Sequence, residues 1–267
     1  MALALLSATG CGQQGNDASQ PGAGFDPERM RVVDLSHAYD ENTIYWPTSP
    51  SEFELEVLHD GHTESGYYYS ANRFRTPEHG GTHLDAPVHF AEGALDAAEI
   101  PVERLMGPAV VIDVTEEASN DPDYRLTEAR IRAFEAEHGA VPKGAIVLLR
   151  TGWSRHWPDK EKYLGDDTPG DASNLHFPSY GEDAARYLVE ERGAAVLGVD
   201  TASLDYGQSE EFMVHRVAGK ANVAGLENLT NLDELPATGA RVIALPMKIA
   251  EGSGGPVRAV AFVPKEE

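Results

Sequence analysis

The chain predicts a mixed α/β fold, a single domain built on a curled sheet and flanked by a few helices. Strand-like and helix-like patterns alternate along the sequence, and the strand candidates are short apolar runs spread over most of its length. At 267 residues, 41% of them hydrophobic, the chain suits one domain with a large core.

Taken in order, residues 32–35 and 53–57 read as strands, the second with clear alternation of polar and apolar residues. Residues 67–74 are aromatic and extended. The short apolar runs 109–114, 146–149, 195–199, 242–245 and 259–263 fit buried strands, which makes eight in all. A helix is expected over 127–138, with Thr127 as its cap and Ile131 and Phe134 on one face. A second is expected over 181–191 and a short third over 209–216. The polar, Gly- and Pro-bearing stretch 158–173 reads as a long surface loop, and no internal repeat is present.

Residues 1–25 read separately, as a signal-like segment and linker before a domain at 26–267. Residues 2–8 are a short apolar run leading to Thr9-Gly10-Cys11, followed by a polar, Gly-rich stretch to Gly24. Small residues before a lone cysteine predict a bacterial lipoprotein signal with Cys11 as the acylated residue. The expected location is then the cell envelope, with the cytoplasm as the alternative. The run lacks the basic segment that usually precedes such signals. Gly10-Cys11-Gly12-Gln13-Gln14-Gly15 matches a dinucleotide-binding glycine pattern, but polar linker stands where the helix should follow, so it carries no weight.

The formal net charge of −23 argues against nucleic acid and anionic membrane surfaces as partners. The single cysteine excludes an intramolecular disulfide and a multi-thiolate metal site. No apolar run reaches the length of a membrane-spanning helix.

The chemistry concentrates in residues 79–90, His-Gly-Gly-Thr-His-Leu-Asp-Ala-Pro-Val-His-Phe. Neutral imidazoles and a carboxylate are the ligands that borderline divalent ions such as Zn²⁺ and Mn²⁺ prefer. The paired glycines and Pro87 rule against one regular helix through all four polar positions. A turn at Gly80-Gly81 leading into an extended piece places His83 and Asp85 on one face, with His79 folding back to join them. His89 falls outside this compact set. An imidazole that titrates near neutrality suits it to proton shuttling.

The pattern His-x-Gly-Thr-His-x-Asp-x-Pro-x-His-Phe resembles the signature of the cyclase family of metal-dependent hydrolases, which includes bacterial kynurenine formamidases and isatin hydrolases. Leu149-Arg150-Thr151-Gly152-Trp153, Leu175-His176-Phe177-Pro178, Gly198-Val199-Asp200-Thr201 and Gly252-Ser253-Gly254-Gly255-Pro256 extend the resemblance to about residues 31–263. It implies a β-barrel-like core of the swivelling β/β/α type and one or two divalent ions, Zn²⁺ or Mn²⁺. Asp85 would bridge two metals, and His215 and Glu227, twelve residues apart, would match the second metal's ligands. A homodimer is also implied.

The implied activity is hydrolysis of non-peptide C–N bonds: water activated by the metal attacks an amide carbonyl, and His89 passes a proton to the departing nitrogen. The leading substrate is an arylformamide such as N-formylkynurenine, which would place the enzyme in tryptophan catabolism. The alternative is a cyclic amide such as isatin, toward which Leu-His-Phe-Pro and Ser203-Leu204-Asp205-Tyr206-Gly207 point. Trp46, Phe74, Trp153 and His176 are the candidate substrate contacts, with Tyr67, Tyr69 and Phe177 as further aromatics. A serine hydrolase is a poor rival, because Gly152-Trp153-Ser154-Arg155-His156 lacks the final glycine of the nucleophile elbow. A non-catalytic metal- or small-molecule-binding lipoprotein is the remaining alternative, but it gives His89 no task.

Overall fold

A computed structural model describes residues 29–265; the signal-like segment, the linker and Cys11 lie outside the described residues. The chain opens with β1 (Met30–Asp34), β2 (Glu54–His62), β3 (Tyr68–Arg75) and β4 (His83–Asp85). Next come β5 (Met106–Asp113), α1 (Thr115–Asn120), β6 (Arg125–Leu126), α2 (Glu128–His138), β7 (Ile146–Arg150), α3 (Lys160–Leu164), β8 (Ser179–Tyr180) and α4 (Glu182–Arg186). It closes with β9 (Val196–Val199), α5 (Met213–Lys220), β10 (Ala224–Glu227), β11 (Thr238–Pro246) and β12 (Gly254–Pro264).

Seven strands form a closed ring in the order β12-β11-β5-β7-β9-β10-β4, with β4 pairing back onto β12. β5, β7, β9 and β10 run parallel, while β4, β11 and β12 pair antiparallel with their neighbours. β1 lies along β12 beyond the end of β4. Every ring strand sends side chains into one apolar cluster, Leu84, Val111, Leu148, Val196, Leu226, Val242 and Ala259 among them, which fills the barrel. The opposite faces of β5, β7 and β9 are covered by α2, α4 and α5 through Ile112, Leu149, Val199, Ile131, Leu188 and Val214. Burial on both faces explains why these strands are continuous apolar runs rather than alternating ones.

All eight expected strands form. Thr127 caps α2 by accepting from the Arg130 backbone N–H at 3.3 Å, and α4 continues through a π turn at Tyr187–Glu191. Four expectations need correction. β10 arises where no strand was expected, because four residues with a glycine and a terminal glutamate become a strand only by pairing with β9 and β4. α1 is similarly unforeseen, since Ala118 is its one buried residue. The expected loop 158–173 contains α3, which Asp159 caps and a left-handed Gly165 ends. The third helix begins at Met213 rather than 209, because Phe212 is itself left-handed, with φ 49°.

The hairpin β2–β3 pairs only with itself. Leu55, Val57, Tyr67, Tyr69 and Phe74 on it are all exposed.

Candidate metal centre

Gly80 and Gly81 make the turn that the motif requires. Gly81 has φ +56°, and a Cβ on Gly80 would sit 2.1 Å from the Tyr45 ring. The chain then enters β4, whose alternation sends Leu84 into the barrel and His83 and Asp85 to its outer face. His79 folds back over the turn, with Nδ1 2.6 Å from Asp85 Oδ1. Gly254 makes room for it, since a Cβ there would lie 2.7 Å from His79 Cε1.

Pairing of β10 with β4 sets Glu227 opposite His83. His83 Nε2 is 3.2 Å from Asp85 Oδ1 and 3.5 Å from Glu227 Oε2. His215 enters from α5, its Nε2 3.0 Å from Glu227 Oε1 and 3.3 Å from Asp85 Oδ2. His83, Asp85, His215 and Glu227 are all buried, while His79 is half-buried and His89 keeps an exposed surface. The His89 ring stacks on His79 at 3.8 Å between centroids. The five ligand candidates and His89 therefore converge on one place.

Their donor atoms form two groups that share Asp85. One is His79, Asp85 and His89; the other is His83, Asp85 and Glu227, with the atoms of each group within 4.8 Å of one another. His89 thus stands closer to the ligand set than the motif spacing implies, near enough to ligate as well as to shuttle.

His79, His83 and His215 each have one nitrogen held from outside, leaving the other toward the carboxylates. The His83 Nδ1–H donates to the Gly81 carbonyl at 3.0 Å, and this carbonyl also accepts from Asn228 Nδ2. His79 Nε2 meets Ser253 Oγ at 2.8 Å, and Ser253 in turn donates to Glu78. His215 Nδ1 meets Asp205 Oδ2 at 2.6 Å. Such partners fix the orientation of metal-ligating histidines. Asp205 and Ser253 stood in the resembling stretches without a role and Glu78 and Asn228 in none, since only folding shows what they face.

Burial would lower the His83 pKa, but Asp85, Glu227 and the Gly81 carbonyl together lift it to about 9. His215 is lifted in the same way, against burial, by Asp205, Asp85 and Glu227. Burial would raise Asp85, yet His83, His215 and His79 hold it well below the usual carboxylate range. Burial and the Asp85 charge raise Glu227. His89 is lowered by its surroundings and by the neighbouring imidazoles, against the pull of Asp85. Two buried carboxylates thus share a centre whose cavity is lined by no Lys or Arg among the described residues. A divalent cation fits that donor set and would take the place of the protons that the carboxylates draw onto His83 and His215.

The centre opens into a cavity of about 260 Å³ with Ile44, Trp46, Phe90 and Phe212 on its walls and the His/carboxylate cluster on its floor. Of the four expected substrate contacts, Trp46 alone lines it. Phe74 lies on the exposed hairpin against Phe53. Trp153 is buried with Tyr163 and Phe177, its indole N–H donating to the Tyr163 carbonyl, and serves packing. His176 pairs with Asp123 at 3.0 Å and with Gln208, away from the cavity. Phe90 and Phe212 take the wall instead, with ring centroids 5.2 Å apart.

A closed mixed barrel carrying a buried His/carboxylate centre beneath an apolar cavity defines a metal-dependent hydrolase. The chain belongs to the Cyclase family, described as "Putative cyclase", whose pattern it matches over residues 33–206. It is 37% identical over 252 residues to isatin hydrolase from Roseibium aggregatum, covering 88% of this chain and 93% of that one. It is 29% identical over 235 residues to kynurenine formamidase from Sphingopyxis alaskensis, covering 86% and 97%. The structure of isatin hydrolase A from Labrenzia aggregata bound to benzyl benzoate superposes with a TM-score of 0.82 at 35% identity, over 89% of this chain and 95% of that one.

Proposed function

We propose that this hydrolase opens a cyclic aryl amide of the isatin type. The 37% identity to isatin hydrolase over 93% of that protein carries the reading. It reverses the order of the two substrates expected from the motif. The apolar cavity supports it, because a flat bicyclic substrate can lie against Trp46, Phe90 and Phe212 with its carbonyl toward the polar floor. Arylformamide opening is the second reading, favoured by the 29% identity to a kynurenine formamidase across 97% of its length.

His79, His83, Asp85, His215 and Glu227 would hold one or two divalent ions, Zn²⁺ or Mn²⁺. Such an ion polarises a carbonyl and acidifies water beside it. The chain's own part is to orient and to move a proton. Asp85 and Glu227 hold the imidazoles in place, and the cavity walls exclude bulk water from the scissile bond. His89, at the cavity and stacked on His79, is placed to take a proton from water and pass it to the departing nitrogen.

The test is turnover of isatin and of N-formylkynurenine by protein loaded with Zn²⁺ and then with Mn²⁺. Ring-opened carboxylate from isatin is expected. Turnover of N-formylkynurenine alone favours the second reading, and turnover of neither overturns both. The reading extends to a homodimer, supported by the uncovered apolar residues of β2–β3, and sedimentation reads it. It also extends to an envelope anchor at Cys11, supported by the N-terminal pattern; Cys11→Ser should move the protein from membranes to the soluble fraction.

A further inference from the structure

We propose that Asp205 is the positioning residue for His215, fixing its ring so that Nδ1 carries the proton and Nε2 faces Asp85 and Glu227. The proposal rests on the metal-centre reading above.

Asp205 is buried, and both of its oxygens are engaged with the start of α5. Oδ1 accepts from the Val214 backbone N–H at 3.0 Å and from Ser209 Oγ at 3.3 Å. Oδ2 accepts from the His215 backbone N–H at 3.1 Å and meets His215 Nδ1 at 2.6 Å. Val214 and His215 are the second and third residues of the helix, whose free N–H groups are usually met by the side chain just before the helix. That place belongs to Phe212, which has no acceptor and lines the cavity. A carboxylate from upstream therefore caps the helix, which frees the capping position for an aromatic wall residue.

One carboxylate oxygen thus binds both the backbone and the ring of the same histidine. This couples the rotation of α5 to the orientation of the imidazole. A ring turned by half a revolution would set a C–H against Asp205 and take Nε2 away from Asp85 and Glu227. A carboxylate on Nδ1 also strengthens Nε2 as a donor to a cation. His83 takes the equivalent support from a backbone carbonyl and His79 from a serine hydroxyl. Among the three, His215 is the one whose outer partner is a side-chain carboxylate.

The experiment compares the metal-free parent with Asp205→Asn, measuring Mn²⁺ and Zn²⁺ affinity by competition with a chelating dye. Folding is followed by near-UV circular dichroism and thermal melting. Asparagine keeps the size and one acceptor but cannot serve all four donors. A folded variant that binds metal about 10–100-fold more weakly is expected. A folded variant with a lowered melting temperature and metal affinity within twofold of the parent overturns the proposal, leaving Asp205 as a helix cap only. Should the variant not fold, ring-nitrogen NMR of the Zn²⁺-loaded parent decides. A retained Nδ1–H on His215 supports the proposal, and the metal on Nδ1 or the proton on Nε2 overturns it. A parent that binds neither ion overturns the metal-centre reading itself.

Discussion

Glu227 lies directly opposite His83 across the antiparallel β10–β4 pair, and their side chains meet, His83 Nε2 standing 3.5 Å from Glu227 Oε2. β4 closes the barrel between β10 and β12, so the last strand contact of the fold is also the one that assembles the metal-binding residues. Stability of the ring and completeness of the site are therefore linked.

His83→Ala should abolish metal binding. The residue is buried and contacts both carboxylates, so its loss leaves too few donors to hold a divalent ion. Elemental analysis of the purified variant checks this, and full occupancy would show that His83 is not a ligand.

His89→Ala separates the two roles that the geometry allows. As a proton shuttle, its loss leaves metal bound and lowers turnover by about 10²–10⁴-fold, roughly 3–5 kcal/mol of barrier. Metal lost in proportion to activity would make His89 a ligand alongside His79 and Asp85.

His79 and His83 against Asp85 Oδ1, with His215 and Glu227 beside Oδ2, predict two ions per chain. Glu227→Gln should then reduce the metal content from two to one, while Asp85→Asn should remove both. A ratio of one in the parent would leave a single-metal site.

Gly254→Ala should damage the centre without removing a polar group. The added Cβ would lie 2.7 Å from His79 Cε1 and 2.5 Å from the Leu84 carbonyl oxygen, and backbone cannot yield as a flexible side chain can. A loss of about 1–3 kcal/mol in denaturant unfolding is expected, together with reduced metal occupancy. Unchanged stability and occupancy would count against the close packing of β4 on β12.

Acid stability should depend on Glu135, far from the metal. The Arg192 hydrogen bonds and the Tyr187 hydroxyl hold its carboxyl down at about 2 against an ordinary value of 4.5. A carboxyl lowered in the folded state contributes stability that is present above its unfolded pKa and lost as pH falls through the folded one. The window therefore runs from about pH 4.5 down to about 2. Denaturant midpoints should fall across it more steeply in the parent than in Glu135→Gln; equal slopes would refute the assignment.

Residues 79–90 determined their own local chemistry. The glycine pair sets the turn, the two-residue period of an extended strand puts His83 and Asp85 on one face, and a separation of six residues suffices for His79 to return to Asp85. The buried strands were equally legible, because burial on both faces leaves continuous apolar runs, and Thr127 announced α2 as a capping residue does. What the tertiary structure alone decided are the relationships between distant segments. Strand β10 exists because β9 and β4 flank it, and Glu227 reaches the site through that pairing. The cavity wall went to Phe90 and Phe212 rather than Phe74, Trp153 and His176, since an aromatic or imidazole side chain looks the same in sequence whether it packs a core, pairs on the surface or faces a substrate. Asp205 gained its role for the same reason: local spacing governs contacts within a turn or a strand, whereas a hydrogen bond across the fold depends on where packing of the whole barrel brings its two ends.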